Sequence, residues 1–268
     1  MIHTNTNTNT NTNTNTNTNT NISTSQHKVV IVTGASRGIG AATAKLLGAQ
    51  GYSVCVNYHK QLQAAEQVVT DIKSAGGHAI AIQADVSKEV DVVRLFAETA
   101  QQLGVVRHLV NNVGVLFTQS KLVDMSLARF NRVMNTNVSS CFLCCREAIK
   151  QMQAGSAIVN VSSAASRSGA PNEYVDYAAS KGAMDSLTKG LSLEVAADGI
   201  RVNAVRPGFI HTDMHADGGE PNRVERLSPQ IPLQRGGTPE EVAEAIAWLL
   251  SDAASYVTGS FIDLAGGK

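Results

Sequence analysis

The sequence predicts an α/β fold, a doubly wound parallel sheet of about seven strands flanked by helices. Three observations predict it. From Lys28 onward, short apolar bursts alternate with longer segments of helical period. A glycine-rich turn stands between the first burst and the first helical segment. No internal repeat and no linker divides residues 25–268, which are expected to form one domain.

Each element follows from its own residues. Val29–Val32 is a short β-branched run and reads as the first buried strand, with a helix over Ile39–Gln50. Tyr52–Val56 is the second strand, followed by a helix over Gln61–Ser74. Ala79–Ile82 and the helix Glu89–Leu103 form the third pair. His108–Val110 is the fourth strand, before one long helical stretch, Arg129–Met152. Ala157–Val161, the helix Tyr177–Ala197 and the strand Ile200–Val205 follow. Glu240–Ser251 is the last helix, and a closing strand lies around Ser260–Leu264. Continuous apolar strands suit a sheet buried on both faces, and short strand-to-helix links make the crossovers right-handed.

Composition sets the bounds. The chain has 268 residues, and its 22 Lys+Arg balance 22 Asp+Glu, so nothing marks a polyanion or nucleic-acid partner. No apolar run is long enough to span a bilayer. Of the four cysteines, Cys141, Cys144 and Cys145 crowd one helix-like stretch, which suits buried thiols better than a disulfide framework. A reducing, cytoplasmic setting is expected. Residues 1–24 contain an uninterrupted Thr-Asn alternation without apolar or charged side chains from Thr4 to Asn21. Such a tract buries too little to offset its ordering entropy, so disorder is expected there.

Two stretches carry chemistry. The first strand runs straight into Thr33-Gly34-Ala35-Ser36-Arg37-Gly38-Ile39-Gly40 and a helix. Glycines there permit a sharp turn, close approach to a pyrophosphate and tight helix packing, while the helix start offers amides to the phosphates. That is a Rossmann-type dinucleotide site. The end of the second strand reads Asn57-Tyr58-His59-Lys60, with no carboxylate to hold a ribose 2′-hydroxyl or repel a 2′-phosphate. Arg37, with Lys60, supplies cations for such a phosphate. NADP(H) is therefore the expected cofactor, and NAD(H) stays open because Asn57 tolerates either.

The second stretch is Tyr177-Ala-Ala-Ser-Lys181. Helical spacing stacks the phenol and the ammonium on one face. A phenol ordinarily holds its proton to about pH 10, and a nearby positive charge lowers that value. Read alone, such a pair is an ordinary solvated helix face. Its place after a dinucleotide turn makes it a candidate acid–base pair.

Together these motifs resemble the short-chain dehydrogenase/reductase family. TGASRGIG, Asp85, Asn111-Asn112-Val113-Gly114, Asn137, Ser163, YAASK and Pro207-Gly208 stand in family order over everything after the tail. The flavour is similar to glucose-dehydrogenase-like and 3-oxoacyl-carrier-protein-reductase-like bacterial members. The resemblance implies that Asn137 holds a water in a proton relay through Lys181, and that Ser163 binds the substrate oxygen. It implies that Tyr177 gives or takes the proton, and that Lys181 lowers the Tyr177 pKa and bonds the nicotinamide ribose. Gly34, Ser36, Arg37, Gly38, Ile39 and Gly40 would cradle the pyrophosphate. Asp85 and Val86 would flank the adenine, Asn112 and Gly114 would line the cofactor, and Thr212, after Pro207 and Gly208, would meet the carboxamide. A homotetramer built on the central helices and the carboxy-terminal segment is implied as well.

Two departures stand out. Val113 replaces a usual alanine, and one extra residue falls within Arg167–Glu173, leaving Ser162 as an alternative to Ser163. Strand alternation turns the two serines to opposite sides. No metal is expected at Cys141-Phe-Leu-Cys144-Cys145 or at His211 and His215, which lack enough partners. The latter belong to a glycine-rich segment with Gly218, Gly219 and Pro221 that reads as a substrate lid. The expected activity is hydride transfer between the nicotinamide and a carbonyl or secondary alcohol of a small substrate. The alternative is a non-catalytic regulator that senses NADP(H).

Overall fold

The computed structural model describes residues 28–268 together with residues 1, 2 and 4. Of residues 1–24, where disorder is expected, residue 3 and residues 5–24 lie outside the described residues.

Seven parallel strands form one sheet in the order β3-β2-β1-β4-β5-β6-β7. They are β1 Val29–Val32, β2 Ser53–Tyr58, β3 His78–Gln83, β4 Val106–Asn111, β5 Ala157–Val161, β6 Arg201–Pro207 and β7 Phe261–Leu264. The long helices are α1 Gly38–Ala49, α2 Leu62–Ser74 and α3 Glu89–Leu103, then α4 Leu127–Met134 and α5 Ser140–Ile149. A four-residue α6, Ala165–Ser168, precedes α7, Val175–Glu194. The short α8, Met214–Asp217, and α9, Arg223–Leu227, come before α10, Pro239–Leu250.

Alternation along β1 divides the core. Val30 and Val32 face a cluster with Leu47 of α1, Ile72 of α2 and Ile246 of α10. Val29 and Ile31 face the other cluster, with Phe96 of α3, Cys144 of α5 and Met184 of α7. Helices therefore cover both faces, as apolar strands require. Strand order reverses between β1 and β4, so the turns after these two strands open a crevice at their carboxyl ends.

The expected single helix over Arg129–Met152 is divided. Residues Asn135–Ser139 form a π-helical turn between α4 and α5. Two short elements, α8 and α9, occupy the lid, where periodicity has too few residues to show itself.

Candidate active site

The turn between β1 and α1 depends on missing side chains. Gly34 and Gly38 hold φ of +60° and +55°, which only glycine adopts freely. A Cβ on Gly40 would stand 2.6 Å from the Gly34 carbonyl oxygen and from Asn112 Nδ2. Asn112 locks this turn from the next strand, donating from Nδ2 to the Thr33 and Gly34 carbonyls at 3.0 and 3.1 Å. Helix α1 takes no side-chain cap at Arg37. Its amino end suits an anion, and a dinucleotide pyrophosphate fits that chemistry.

The ribose end differs from expectation at two residues. Asn57 is buried, and its Oδ1 accepts from Gly34 N at 3.2 Å. Its Nδ2 donates to the Ile82 and Ala84 carbonyls at 3.3 Å each. Asn57 therefore braces the glycine turn, and its amide is committed to the protein instead of being offered to a ribose. Arg37, expected to supply a cation for a 2′-phosphate, pairs with Asp213 at 3.4 Å and with Asp217, both from the lid. Lys60 is exposed. Ser36 donates to Gln61 Oε1 at 3.4 Å, and Ile39 reaches the wall of the main cavity. Burial works against the Asp85 carboxylate, but hydrogen bonds from Ser87 and the nearby His59 and Lys88 hold its pKa below the usual range. The Val86 side chain lies in the core, so only its backbone is left to meet a ligand.

At the carboxyl end of β5 the catalytic candidates Ser163, Tyr177 and Lys181, but not Asn137, converge on a cavity of about 560 Å³. Ser162, Ser163, Tyr177, Lys181, Asn112, Pro207, Gly208 and Thr212 all line it. Helix α7 sets Tyr177 and Lys181 one turn apart on a buried face. The Tyr177 hydroxyl is hydrogen-bonded to Ser163, whose Oγ also accepts from Ala165 N at 3.1 Å. Ser162 turns inward instead and donates to the Lys181 carbonyl at 3.2 Å, which leaves Ser163 as the serine facing the phenol. Gly114 sits so close that a Cβ there would stand 3.3 Å from Lys181 Nζ. A Cβ on Gly38 would approach the Thr212 methyl at 3.4 Å, so the glycine turn and the lid adjoin.

The protonation of the pair departs from expectation. Burial pushes the Tyr177 phenol up to about 12, and the Ser163 hydrogen bond offsets this only in part. Lys181 does not lower it in the chain alone. Its Nζ donates to the Val161 carbonyl at 2.7 Å and lies 5.6 Å from the Tyr177 ring centroid. Burial pulls the ammonium itself down to about 8, against the opposing influence of Cys141 and Asp185.

Asn137 lies within the π turn and is fully buried. Its Oδ1 accepts from Val115 N at 2.8 Å, and its Nδ2 donates to the Val115 carbonyl at 3.0 Å and Ser180 Oγ at 2.9 Å. The side chain is thus occupied in tying the loop after β4 to α7. Both Nδ2 hydrogens are spent, so the side chain can meet a water only through the second lone pair of Oδ1.

Arg223 escaped the sequence reading. It is 5% exposed at the cavity wall, paired with Glu173 and with Glu220 at 2.7 Å. Its guanidinium stacks 5.2 Å from the Tyr174 ring and 5.5 Å from that of Phe209. Glu220 lies three residues before it, but the Glu173 pairing that turns it to the cavity spans fifty residues and has no local signal. In the loop carrying the extra residue, Ala170 and Asn172 adopt φ of +43° and +63°. His215 bonds the Ile210 carbonyl at 3.1 Å, and burial lowers its pKa. Among the described residues no group of three or more His, Cys, Asp or Glu is placed to hold a metal ion. All four cysteines are buried, and burial pushes the Cys55 thiol up to about 12. No helix among the described residues is long and apolar enough to cross a membrane.

Comparison with known proteins agrees with this geometry. A family model described as enoyl-(acyl carrier protein) reductase matches residues 34–268. The chain is 62% identical over 245 residues to the uncharacterized oxidoreductase YgfF of Escherichia coli (strain K12), covering 90% of this chain and 99% of that protein. It is 37% identical to glucose 1-dehydrogenase 2 of Bacillus subtilis (strain 168), covering 90% and 94%. A short chain dehydrogenase from Burkholderia cenocepacia J2315, solved in complex with NADP, superposes with a TM-score of 0.83 at 33% identity, covering 90% and 97%. Seven parallel strands, a glycine turn at the reversal of strand order and these relatives make the chain a member of the short-chain dehydrogenase/reductase family of oxidoreductases.

Proposed function

We propose that the chain is an NADP(H)-dependent alcohol dehydrogenase or carbonyl reductase. It moves a hydride between the nicotinamide and a carbonyl or secondary alcohol carbon of a small substrate, with Tyr177 as the acid–base. The observation that carries this reading is the convergence of Ser163, Tyr177 and Lys181 on one cavity beside the glycine turn. When bound, the nicotinamide supplies or accepts the hydride. The Ser163 hydroxyl and the Tyr177 phenol orient the substrate oxygen and stabilise the charge that develops on it. Tyr177 gives its proton to that oxygen in reduction and takes one in oxidation. Lys181 is mostly charged at neutral pH and steadies the phenolate this leaves. Asn137 holds the loop after β4 against α7, so that Gly114 stays against Lys181.

The preference for NADP(H) rests on Arg37 and on the lack of a carboxylate at the end of β2. Occupation of Arg37 by Asp213 and Asp217 means that a 2′-phosphate must compete for it. We further propose a cytoplasmic, homotetrameric protein.

An absorbance screen for NADPH oxidation against aldehydes, ketones, sugars and acyl thioesters tests the reading, with NADH run beside it. Tyr177→Phe should bind NADPH as the wild type does and lose turnover by at least about a hundredfold, as removal of an acid–base group does. Unchanged turnover would reject Tyr177 as the acid–base. Verified NADPH binding without turnover of any carbonyl would favour the regulator. A much lower KM for NADH than for NADPH would reject the cofactor preference.

A further inference from the structure

We propose that Arg129 and Asp176 are positioning residues that hold the first turn of α7, and with it the Tyr177 phenol, at the cavity. The proposal rests on the acid–base role proposed for Tyr177. Tyr177 is only the third residue of α7. The first turn of a helix has amides without intrahelical acceptors and frays most readily. The residue preceding α7, Tyr174, gives no side-chain cap. Asp176 does that work from inside the turn, its Oδ1 accepting from Tyr177 N at 2.9 Å.

The carboxylate is fixed in turn. Its side chain is 1% exposed, and the Arg129 guanidinium grips it with two nitrogens, Nε to Oδ2 at 2.7 Å and Nη2 to Oδ1 at 3.3 Å. The remaining Nη1 donates to the Thr118 carbonyl at 2.7 Å, and the guanidinium lies 5.8 Å from the Phe117 ring centroid. Arg129 is anchored at its own backbone, where Ser126 Oγ caps α4 by accepting from Arg129 N at 3.2 Å. One ion pair therefore joins α4, the loop that supplies Leu116 to the cavity, and the turn that carries the phenol. Buried ion pairs contribute little net stability compared with well-packed apolar residues of similar size. What the fork geometry supplies is direction, because both carboxylate oxygens are fixed in one plane. Catalysis is sensitive to displacements of about an ångström at such a group.

The test compares Arg129→Gln, Arg129→Lys, Asp176→Asn and the Arg129→Gln/Asp176→Asn double variant, with Tyr177→Phe as reference. NADPH dissociation constants are read by fluorescence, and turnover with ethyl acetoacetate as the carbonyl probe. Backbone hydrogen exchange of residues 115–120 and 174–178 is followed on the same full-length proteins. Arg129→Gln and Asp176→Asn should each lower kcat by about tenfold or more, while NADPH affinity changes less than about twofold. Arg129→Lys should lose less, and the double variant should fall no further than the worse single, as coupled residues do. Exchange in both segments should accelerate in the Arg129 variants. Unchanged kcat, a loss of NADPH affinity in step with kcat, or unchanged exchange would each overturn the proposal. If Asp176→Asn does not fold, Arg129→Lys decides by the same readings. If the wild type does not reduce the probe, exchange decides alone. Full turnover in Tyr177→Phe would remove the acid–base reading and this proposal together. A dead Tyr177→Phe beside fully active Arg129 and Asp176 variants would remove this proposal only.

Discussion

Lys181 is buried, and its pKa moves from 10.5 to about 8, which corresponds to about 3 kcal/mol of cost for the charged form. The unfolded chain holds this proton up to the higher value, so it binds more protons than the native state between about pH 8 and 10.5. Stability contributed by this group therefore rises with pH across that window, and the full cost stands below it. Replacing Lys181 with Met removes the charge but also the bond from a charged donor to the Val161 carbonyl, worth about 2 kcal/mol. Lys181→Met should thus be about 1 kcal/mol more stable than the wild type at pH 7 and inactive. Its advantage should shrink as the pH approaches 10.5. Urea unfolding at pH 7 and pH 10.5 checks the sign, and a variant less stable at pH 7 would contradict it. The helical spacing of Tyr177 and Lys181 was readable as letters, because four positions is a property of the helix itself. The direction of Asn57 was not, because β2 is buried on both faces and alternation gives it no outward side. Arg37 and its lid carboxylates lie 176 and 180 positions apart, beyond any local signal.

Among the elements, α10 carries its own start signal. Thr238 Oγ1 accepts from Glu241 N at 3.3 Å, and Glu241 Oε2 accepts from Thr238 N at 2.9 Å. Such a reciprocal cap contributes about 1 kcal/mol. Thr238→Ala should lower the unfolding free energy by about that amount and leave kcat unchanged, since α10 packs behind α1 and not on the cavity. Thermal or urea unfolding measures the first, and the NADPH assay the second. Long elements with apolar period, such as α3, matched their expected bounds. The π turn did not announce itself, because the weak helix formers of Asn135–Ser139 lower helix propensity without specifying a widened turn, and only the contacts of Asn137 reveal its use. Short α6, α8 and α9 around the cavity were missed because they run four or five residues each, too few to repeat a period.

At the scale of the molecule, Phe142 on α5 and Trp248 on α10 stay 46% and 43% exposed in the isolated chain. They lie on the central helices and carboxy-terminal region where subunits are proposed to meet, and large exposed apolar residues mark such surfaces. Light scattering should report a tetramer, and Phe142→Glu with Trp248→Glu should yield smaller species; a wild-type monomer would defeat the assembly. The fold class was legible because apolar bursts and helical periods carry topology along the whole chain, whereas the lid's ion pairs exist only after folding. The crevice between β1 and β4 has a final consequence. One wall comes from Thr33–Gly40 and the other from Asn111–Gly114, so a dinucleotide lying there would clasp segments that meet only once the chain has folded. It would behave as a removable staple on the native state. At a hundred times its dissociation constant, NADPH should add about 2.7 kcal/mol and raise Tm by about 5–10 °C. Depletion of the cofactor in both its oxidised and reduced forms would then leave the protein more open to heat and proteases, tying its persistence to the size of the dinucleotide pool.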